Sequence, residues 1–132
     1  MKFEKLDLIN NYNEIKLLWE ERNLPVVDLN CLSQFGIIVK DDNDKIIGAI
    51  FLYLTIGTPI SMIRFPIIDK SLNKTNHEFV ADGLIKNVSI LSKEMGYNII
   101  FCSTNHKNFI NRLKKHNYSI YAENCVHMNG EI

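Results

Sequence analysis

A polar segment between two apolar runs contains the residues best suited to bind an anion. Thr75 and Glu78 have the spacing of a capping box, with a hydroxyl first and a carboxylate three residues later, so a helix is predicted to begin here. The first amides of a helix have no intrahelical partners, and they attract negatively charged groups. Lys70 and Lys74 add positive charge to the same loop. The segment therefore predicts an anion-binding site.

Two other groups of reactive residue types predict structure and no site. The acidic run 41–44 resembles part of a calcium loop, but no Gly and no Glu follow at the EF-hand positions, so a solvated hairpin turn is favoured and no metal is expected. Cys31, Cys102 and Cys125 are widely spaced and form no C-x-x-C pair. Cys102 and Cys125 lie in apolar runs, which predicts buried, inert thiols in a reducing cytoplasm.

Composition limits the function classes. The chain has 132 residues, which predicts one domain spanning 1–132, and its 46% hydrophobic content is typical of a globular protein. Lys+Arg and Asp+Glu are both 15, so no nucleic acid or membrane partner is expected. The charged N-terminus lacks a signal core, and no apolar run approaches the roughly 20 residues of a membrane span. The sequence therefore predicts a cytoplasmic protein.

Hydrophobic periodicity predicts the elements that position the polar segment. After Glu78, apolar residues recur at helical spacing as far as Met95, and Gly96 suits the left-handed position that ends a helix. Lys114, Lys115 and His116 suit the negative end of a later helix. The other predicted elements are a strand at 3–8, a helix capped by Asn10 or Asn11, a loop or irregular helix at 26–34, strands at 36–40, 45–54, 60–68 and 98–103, a helix capped by Thr104 or Asn105 with Asn117 at its end, and strands at 118–122 and 125–129.

Two residues inside predicted strands indicate irregular pairing. Gly48 interrupts the strand 45–54, which indicates either a β-bulge or a close backbone approach. Pro66 falls near the end of the strand 60–68 and cannot donate a ladder hydrogen bond. If that strand is internal, its pairing must loosen there and a gap must open beside it.

The order of elements and three local segments resemble the GNAT (Gcn5-related N-acetyltransferase) superfamily over nearly the whole chain. The segments are the hairpin 36–54, the helix end Lys93-Glu94-Met95-Gly96-Tyr97, and Asn105 followed by 112–118, which looks like the family's N…L-Y-x-K-x-G-F segment. The resemblance implies a mixed α/β (α+β) fold. Its mostly antiparallel sheet of about six to seven strands is expected to be splayed between strands 4 and 5, with three to four flanking helices.

The resemblance also implies a cofactor site. In that family acetyl-CoA enters the gap between the fourth and fifth strands, here 60–68 and 98–103. The pyrophosphate binds the amides of a Q/R-x-x-G-x-G/A loop at the start of the long helix, which by spacing from Gly96 falls on 76–81. Ala81 matches this motif, whereas Asn76 and Phe79 replace its usual residues. The expected cofactor-binding residues are Ile67, Ile68, Lys70, Lys74, Asn76, Phe79, Val80, Ala81 and Asn105.

The departures from the motif have physical consequences. A Phe79 side chain is expected to obstruct the close approach that glycine allows. Glu78 and Asp82 place negative charge in the predicted first turn, which is unfavourable beside a pyrophosphate. Gly83 has two interpretations: it restores close approach one turn later, or it allows tight packing.

The resemblance implies transfer of an acetyl group from acetyl-CoA to an amine by direct attack in a ternary complex. The family's proton-donating tyrosine is replaced by Arg112, which cannot give up a proton near neutral pH. Asp69 is the leading candidate for general base and His127 the second, with a packing or surface role as the alternative for each. The alternative function is a catalytically inactive binding or structural module of viral or mobile-element origin. Final strands in the family often pair between subunits, so a homodimer is a further expectation.

Overall fold

The structure, a computed structural model, describes residues 1–131. Its strands are β1 (Lys2–Lys5), β2 (Phe35–Lys40), β3 (Ile46–Leu54), β4 (Ile60–Ile68) and β5 (Ile99–Cys102). Its α-helices are α1 (Leu8–Glu21), α2 (Lys74–Glu94) and α3 (Lys107–Lys115), and a 3₁₀ turn covers Leu29–Cys31.

One mixed sheet has its five strands in sequence order. β1 to β4 pair antiparallel, and β5 returns parallel to β4 after the crossover through α2. The two faces of the sheet have separate cores. Val80, Leu84 and Val88 of α2 pack on one face, and Ile15 and Trp19 of α1 pack on the other.

The sheet has five strands, so the expectation of six to seven is wrong. The segments 118–122 and 125–129 are irregular. Their large apolar side chains stay exposed, including 86% of Tyr121 and 87% of Met128. Their alternating pattern requires a neighbouring strand to bury one face, and they find none within the described residues. Cys125 is exposed as well, which corrects its predicted burial.

The predicted caps of all three helices are wrong. Asp7 caps α1 and Asn11 accepts a hydrogen bond from the Asp7 amide, so the helix begins at Leu8 and the first strand is shorter than 3–8. Asn73 caps α2, and His106 caps α3. Neighbouring Asn, Asp, Thr and His residues can all cap a helix, so the position at which the incoming chain turns decides between them.

The predicted turns and glycine positions agree with the structure. Gly96 has φ +91°, and the Gly96 and Tyr97 amides bond back to α2 as in a Schellman motif. Both interpretations of Gly48 are confirmed, because pairing shifts beside it and an added Cβ would lie 2.9 Å from Val80 Cγ1. Asp41 accepts hydrogen bonds from two amides of the hairpin turn.

No helix of residues 1–131 is long and apolar enough to cross a membrane.

Candidate active-site cleft

A cleft opens where β4 separates from β5. The two strands pair from Ile60 with Ile99 to Ile63 with Cys102, and within the described residues β4 then continues to Ile68 paired with β3 only. The cleft has a volume of about 810 Å³ and lies between this free part of β4, the first half of α2 and one face of α3. The predicted splay between the fourth and fifth strands is therefore present.

A β-bulge in β4 accompanies the separation. Ala49 pairs with Ile67 and Phe51 with Arg64, so two residues of β4, Phe65 and Pro66, lie opposite Ile50 alone. Pro66 has no amide to donate, and Phe65 has φ +52°, an uncommon conformation for a bulky residue. The interpretation of Pro66 as the position where pairing loosens agrees with this geometry.

The N-terminus of α2 lies at the wide end of the cleft, earlier in the chain than the capping box implied. Asn73 Oδ1 accepts a hydrogen bond from the Asn76 amide at 2.8 Å, and α2 begins at Lys74. The amides of Lys74 and Thr75 precede the first intrahelical hydrogen bond and are the available donors. Glu78 lies in the second turn, and the first turn contains no acidic residue.

The earlier start corrects the predicted pyrophosphate motif. Residues 76–81 lie within α2, so the amides of Phe79, Val80 and Ala81 are committed to intrahelical hydrogen bonds. The helix starts early because the loop between β4 and α2 is short and is tied by Asp69, which accepts hydrogen bonds from Ser71. An anion at this helix must therefore bind at Lys74 and Thr75.

The structure brings together four of the nine predicted cofactor residues and separates the other five from the cleft. Ile67, Ile68, Lys74 and Ala81 line it. Lys70 Nζ instead donates to the Glu21 carbonyl oxygen at 2.6 Å. The remaining residues, Asn76, Phe79, Val80 and Asn105, do not line the cleft either.

Phe79 does not obstruct the cleft, which corrects the predicted obstruction. Its ring lies 6.0 Å from the ring of Phe3, and it packs beside β1. Gly83 lies against Phe3 as well, and an added Cβ would overlap the Phe3 ring. The tight-packing interpretation of Gly83 is therefore the correct one.

Asp82 is paired with Arg112 of α3 and hydrogen-bonded to His116, which follows α3, so it is a weaker source of repulsion than the sequence implied. Asp82 Oδ1 lies 2.9 Å from Arg112 Nη1 and 2.9 Å from His116 Nε2. Burial raises the pKa of Asp82, but the hydrogen bonds from His116 and Arg112 outweigh burial and hold this pKa below its ordinary value. The three side chains also link α2 to α3.

Cations outnumber acids on the cleft wall. Four basic side chains line the cleft, and Glu78 is the single carboxylate among the lining residues. Arg22 Nε donates to the Ile68 carbonyl oxygen at 2.7 Å and joins the end of α1 to the end of β4. The sequence did not indicate this cluster, because its members come from three distant helices. They are Arg22, Lys74, Arg112 and Lys115.

Asp69, the leading candidate for the general base, is buried just after β4, and both oxygens of its carboxylate accept hydrogen bonds. It is 3% exposed; Oδ2 lies 3.0 Å from Lys45 Nζ, and Oδ1 accepts from the Ser71 amide and hydroxyl. Burial raises its pKa, but the bonds from Ser71 and Lys45 hold the pKa below its ordinary value. His127, the second candidate, is exposed in the irregular segment after α3.

His77 also lines the cleft and was not identified from sequence. Burial, followed by the charges of Arg22 and Arg112, lowers the pKa of His77 below the ordinary 6.5. The folded state therefore binds this proton less readily than the unfolded state, and the free energy of unfolding must fall as the pH drops below 6.5.

We expect His77→Gln to reduce this loss of stability. Urea unfolding of the wild-type and His77→Gln proteins at pH 7.5 and 5.5 measures the free energy of unfolding. Between pH 7.5 and 5.5 it should fall less in the variant than in the wild-type protein. Asp69 and Asp82 have lowered pKa values and lose their contributions below 3.8, outside this window. An equal fall in both proteins would contradict the assignment to His77.

Comparison with known proteins finds structural likeness without sequence likeness. No protein-family model and no curated protein matches the chain. A probable acetyltransferase has a TM-score of 0.75 at 11% identity, with 100% of this chain and 99% of that chain covered. An aminoglycoside acetyltransferase from an uncultured soil metagenomic sample, in complex with sisomicin, has a TM-score of 0.68 at 18% identity (99% and 95% covered). Rv2747 from Mycobacterium tuberculosis, in complex with CoA and NLQ, has a TM-score of 0.69 at 14% identity (86% and 70% covered). The likeness shows the fold, which is the GNAT fold that the resemblance predicted.

Proposed function

We propose that this protein binds acetyl-CoA in the cleft between β4 and β5 and transfers its acetyl group to an amine by direct attack within a ternary complex. The observation that carries the proposal is the cleft itself, because a positively charged wide end narrows to the point where the two strands pair. Structures of the same fold include an aminoglycoside acetyltransferase, and a further one, Rv2747, is in complex with CoA.

The wide end suits the phosphates of CoA. The amides of Lys74 and Thr75 begin α2, and four basic side chains line the same cleft. From Arg64 onward, β4 has no strand partner on the β5 side, so its backbone can bond to the amide groups in the CoA arm as an added strand would. The thioester then lies near the narrow end.

The reaction forms a nitrogen–carbon bond and breaks the carbon–sulfur bond of the thioester. The acceptor ammonium first loses a proton, and its lone pair attacks the thioester carbonyl carbon. Collapse of the tetrahedral intermediate releases CoA, which leaves as a thiolate and takes up one proton, while the amide product loses its second proton. Arg112 cannot donate a proton, so the proton that the thiolate takes up comes from water.

Ligand-induced stabilisation tests the binding step. We expect acetyl-CoA and CoA to raise the melting temperature, because a ligand at about 100 times its Kd adds roughly 2.7 kcal/mol to the free energy of unfolding. The measurement is a thermal-shift titration up to millimolar cofactor. A melting temperature unchanged at that concentration would reject the proposal.

Asp69→Asn separates the structural role of this carboxylate from its predicted role as base. We expect the variant to lose about 1–2 kcal/mol of stability, because charge-assisted hydrogen bonds to Ser71 and Lys45 are replaced by weaker ones. If Asp69 is the base, CoA-thiol release also falls by about 100-fold or more in the folded variant. Release at the wild-type rate would reject that role and leave His127→Gln as the next variant to assay.

A second candidate function is a GNAT-like module that binds a ligand without catalysis. It is favoured by Arg112, which stands where the resemblance expects the proton-donating tyrosine and is held by Asp82. This function predicts a thermal shift with acetyl-CoA but no release of free thiol with any amine. Thiol release above the rate of acetyl-CoA hydrolysis in buffer would reject it.

The expected homodimer stays a prediction, for which β5 supplies the available edge. This strand ends the sheet, and Ile99 and Phe101 are 49% and 36% exposed. A second chain pairing along this edge would cover them. Light scattering coupled to gel filtration measures the molar mass, and a value near 15.3 kDa at high concentration would reject the dimer.

A further inference from the structure

Within residues 1–131, no helix covers one face of the sheet at the point where β4 and β5 separate. Ile63 and Cys102 point to the α2 side, so the neighbouring Met62 and Phe101 point to the α1 side. Met62 is 39% exposed and Phe101 36% exposed. The α1 helix covers the other part of this face, around Phe51 and Ile67. Tyr121 meets the Phe101 ring edge to face at 5.7 Å and leaves it partly exposed, so a partly open apolar surface adjoins the narrow end of the cleft.

The bulge in β4 adds a charged group to this surface. Consecutive residues of a regular strand point to opposite faces, but the left-handed conformation of Phe65 reverses the alternation. Ile63 packs on the α2 side, whereas Phe65 and Ile67 pack on the α1 side. Arg64 and Phe65 therefore share one face, and Arg64 Cζ lies 4.7 Å from the centre of the Phe65 ring.

Four side chains form what we name the aromatic platform, defined as Tyr53, Met62, Arg64 and Phe65. The Tyr53 and Phe65 rings meet edge to face at 6.2 Å, and the Arg64 guanidinium lies 6.0 Å from the Tyr53 ring. The Tyr53 hydroxyl donates to the Cys31 carbonyl oxygen at 2.7 Å, which fixes the ring against the loop before β2. The Tyr53 ring is thus held by a hydrogen bond to Cys31 and by an edge contact with Phe65.

Arg64 is the charged group available to a ligand on the platform. Within residues 1–131 no ion pair or side-chain hydrogen bond involves it, and its side chain is exposed. Stacking on two rings holds the guanidinium in one plane and leaves its N–H groups free. A planar guanidinium of this kind binds a carboxylate through two parallel hydrogen bonds.

We infer that the aromatic platform binds the acceptor, and that the acceptor is a small amine carrying a carboxylate and an apolar side chain, as in an apolar amino acid. Arg64 binds the carboxylate, and the rings of Tyr53 and Phe65 pack against the side chain. The inference rests on the proposed function and names its substrate class.

The charge of Arg64 also favours the reactive form of the acceptor. A neighbouring positive charge disfavours an ammonium, so the α-amine loses its proton to water more readily. The neutral nitrogen attacks the thioester carbon, the carbon–sulfur bond breaks, and the second proton lost by the nitrogen goes to the departing thiolate. The third proton stays on the amide, so the proton first given to water is the only one released overall. An amine without a carboxylate would place its positive charge beside an unpaired guanidinium, which is repulsive.

The platform and the Asp69 assignment make opposite predictions. Asp69 follows β4, five residues beyond Arg64. Their neighbours on β3, Ile47 and Phe51, are four residues apart, which puts the two residues roughly 13 Å from each other. A carboxylate at that distance cannot contact an amine held at the platform. The inference therefore predicts that Asp69→Asn releases CoA at close to the wild-type rate.

Matched amines test the inference. CoA release is measured with L-phenylalanine against 2-phenylethylamine and with L-leucine against isoamylamine, since each pair differs by the carboxylate alone. We expect kcat/KM to favour the amino acid by about tenfold or more in the wild-type protein and the preference to vanish in Arg64→Gln. Arg64→Lys should restore part of it, and Lys86→Gln, on the exposed face of α2, should behave as wild type.

A binding measurement separates failure of the inference from failure of the proposed function. NMR titration of L-phenylalanine should shift the Tyr53 and Phe65 resonances in the wild-type protein and not in Arg64→Gln. If acetyl-CoA causes no thermal shift but this binding is seen, the proposed function fails and the platform stands. Equal use of both amines, a preference unchanged in Arg64→Gln, or no binding of L-phenylalanine with or without CoA would each overturn the inference.

Discussion

The double variant Lys74→Glu/Lys115→Glu is expected to lose nearly all stabilisation by acetyl-CoA. Both side chains are exposed and line the wide end of the cleft, so reversal changes its charge by four units without removing a core contact. Each reversal changes the charge by two units and should weaken phosphate binding by about 1–1.5 kcal/mol, the value for exposed charges roughly 6–8 Å from a phosphate in a water-like dielectric constant of about 80. Together they weaken binding roughly 100-fold, and a stabilisation of about 2.7 kcal/mol becomes about 0.4 kcal/mol.

A control for the change in net charge uses one other lysine from each of the same two helices. Lys86 on α2 and Lys114 on α3 are exposed but do not line the cleft. Lys86→Glu/Lys114→Glu makes the same change in net charge and is expected to retain most of the thermal shift. An equal loss in both double variants would mean that net charge, and not the cleft, attracts the ligand. A full shift in Lys74→Glu/Lys115→Glu would place the phosphates elsewhere.

Gly36→Ala is expected to be the most destabilising of the single substitutions considered. Gly36 pairs with Phe51 in the middle of the sheet, and an added Cβ would overlap the Ile50 carbonyl oxygen. Overpacking costs about 1–3 kcal/mol, and we expect the upper end of this range because the neighbour is backbone that β3 and β4 hold in place. A loss of about 3 kcal/mol lowers the melting temperature by roughly 10 °C.

Gly83→Ala is the matched control for this effect. Its added Cβ would also overlap a neighbour, but that neighbour is the end of the Phe3 side chain on the edge strand β1, which can move aside. Alanine also gains about 1 kcal/mol over glycine in a helix, which offsets part of the clash. Urea unfolding should give a clearly smaller loss for Gly83→Ala. A Gly36→Ala protein within about 1 kcal/mol of wild type would contradict the close approach of β2 to β3.

The sequence correctly predicted those helices, strands and turns whose ends depend only on residues within them, such as a glycine, a proline or a turn-forming residue. The strand 60–68 matches β4, and Gly96 ends α2 because its left-handed conformation needs no tertiary support. The acidic turn at 41–44 joins β2 to β3 as its turn-forming residues require. Pro66 correctly indicated loosened pairing, since a missing amide has the same effect in any sheet.

The predictions that failed depended on contacts with distant parts of the chain. Asn73 and Thr75 are both competent caps, and the short loop tied by Asp69 decided between them. That difference moved the open amides of α2 away from 76–81. The apolar patterns at 118–122 and 125–129 predicted strands, but a strand forms only where a neighbour satisfies its backbone, and none does so among the described residues.

Some residues of the candidate site could likewise be predicted from sequence, and others depended on contacts between distant parts of the chain. The sequence by itself determined that β4 is followed by a polar loop and a long helix. The resemblance to the GNAT superfamily then implied that Ile67, Ile68 and Lys74 bind the cofactor, and all three line the cleft. Only the tertiary structure decided that Arg22 and Lys115 join them, and that Arg64 and Phe65 share a face. The physical reason is that periodicity describes which side of its own element a residue occupies. Which elements meet, and where a bulge reverses a strand, depends on packing between segments far apart in the chain.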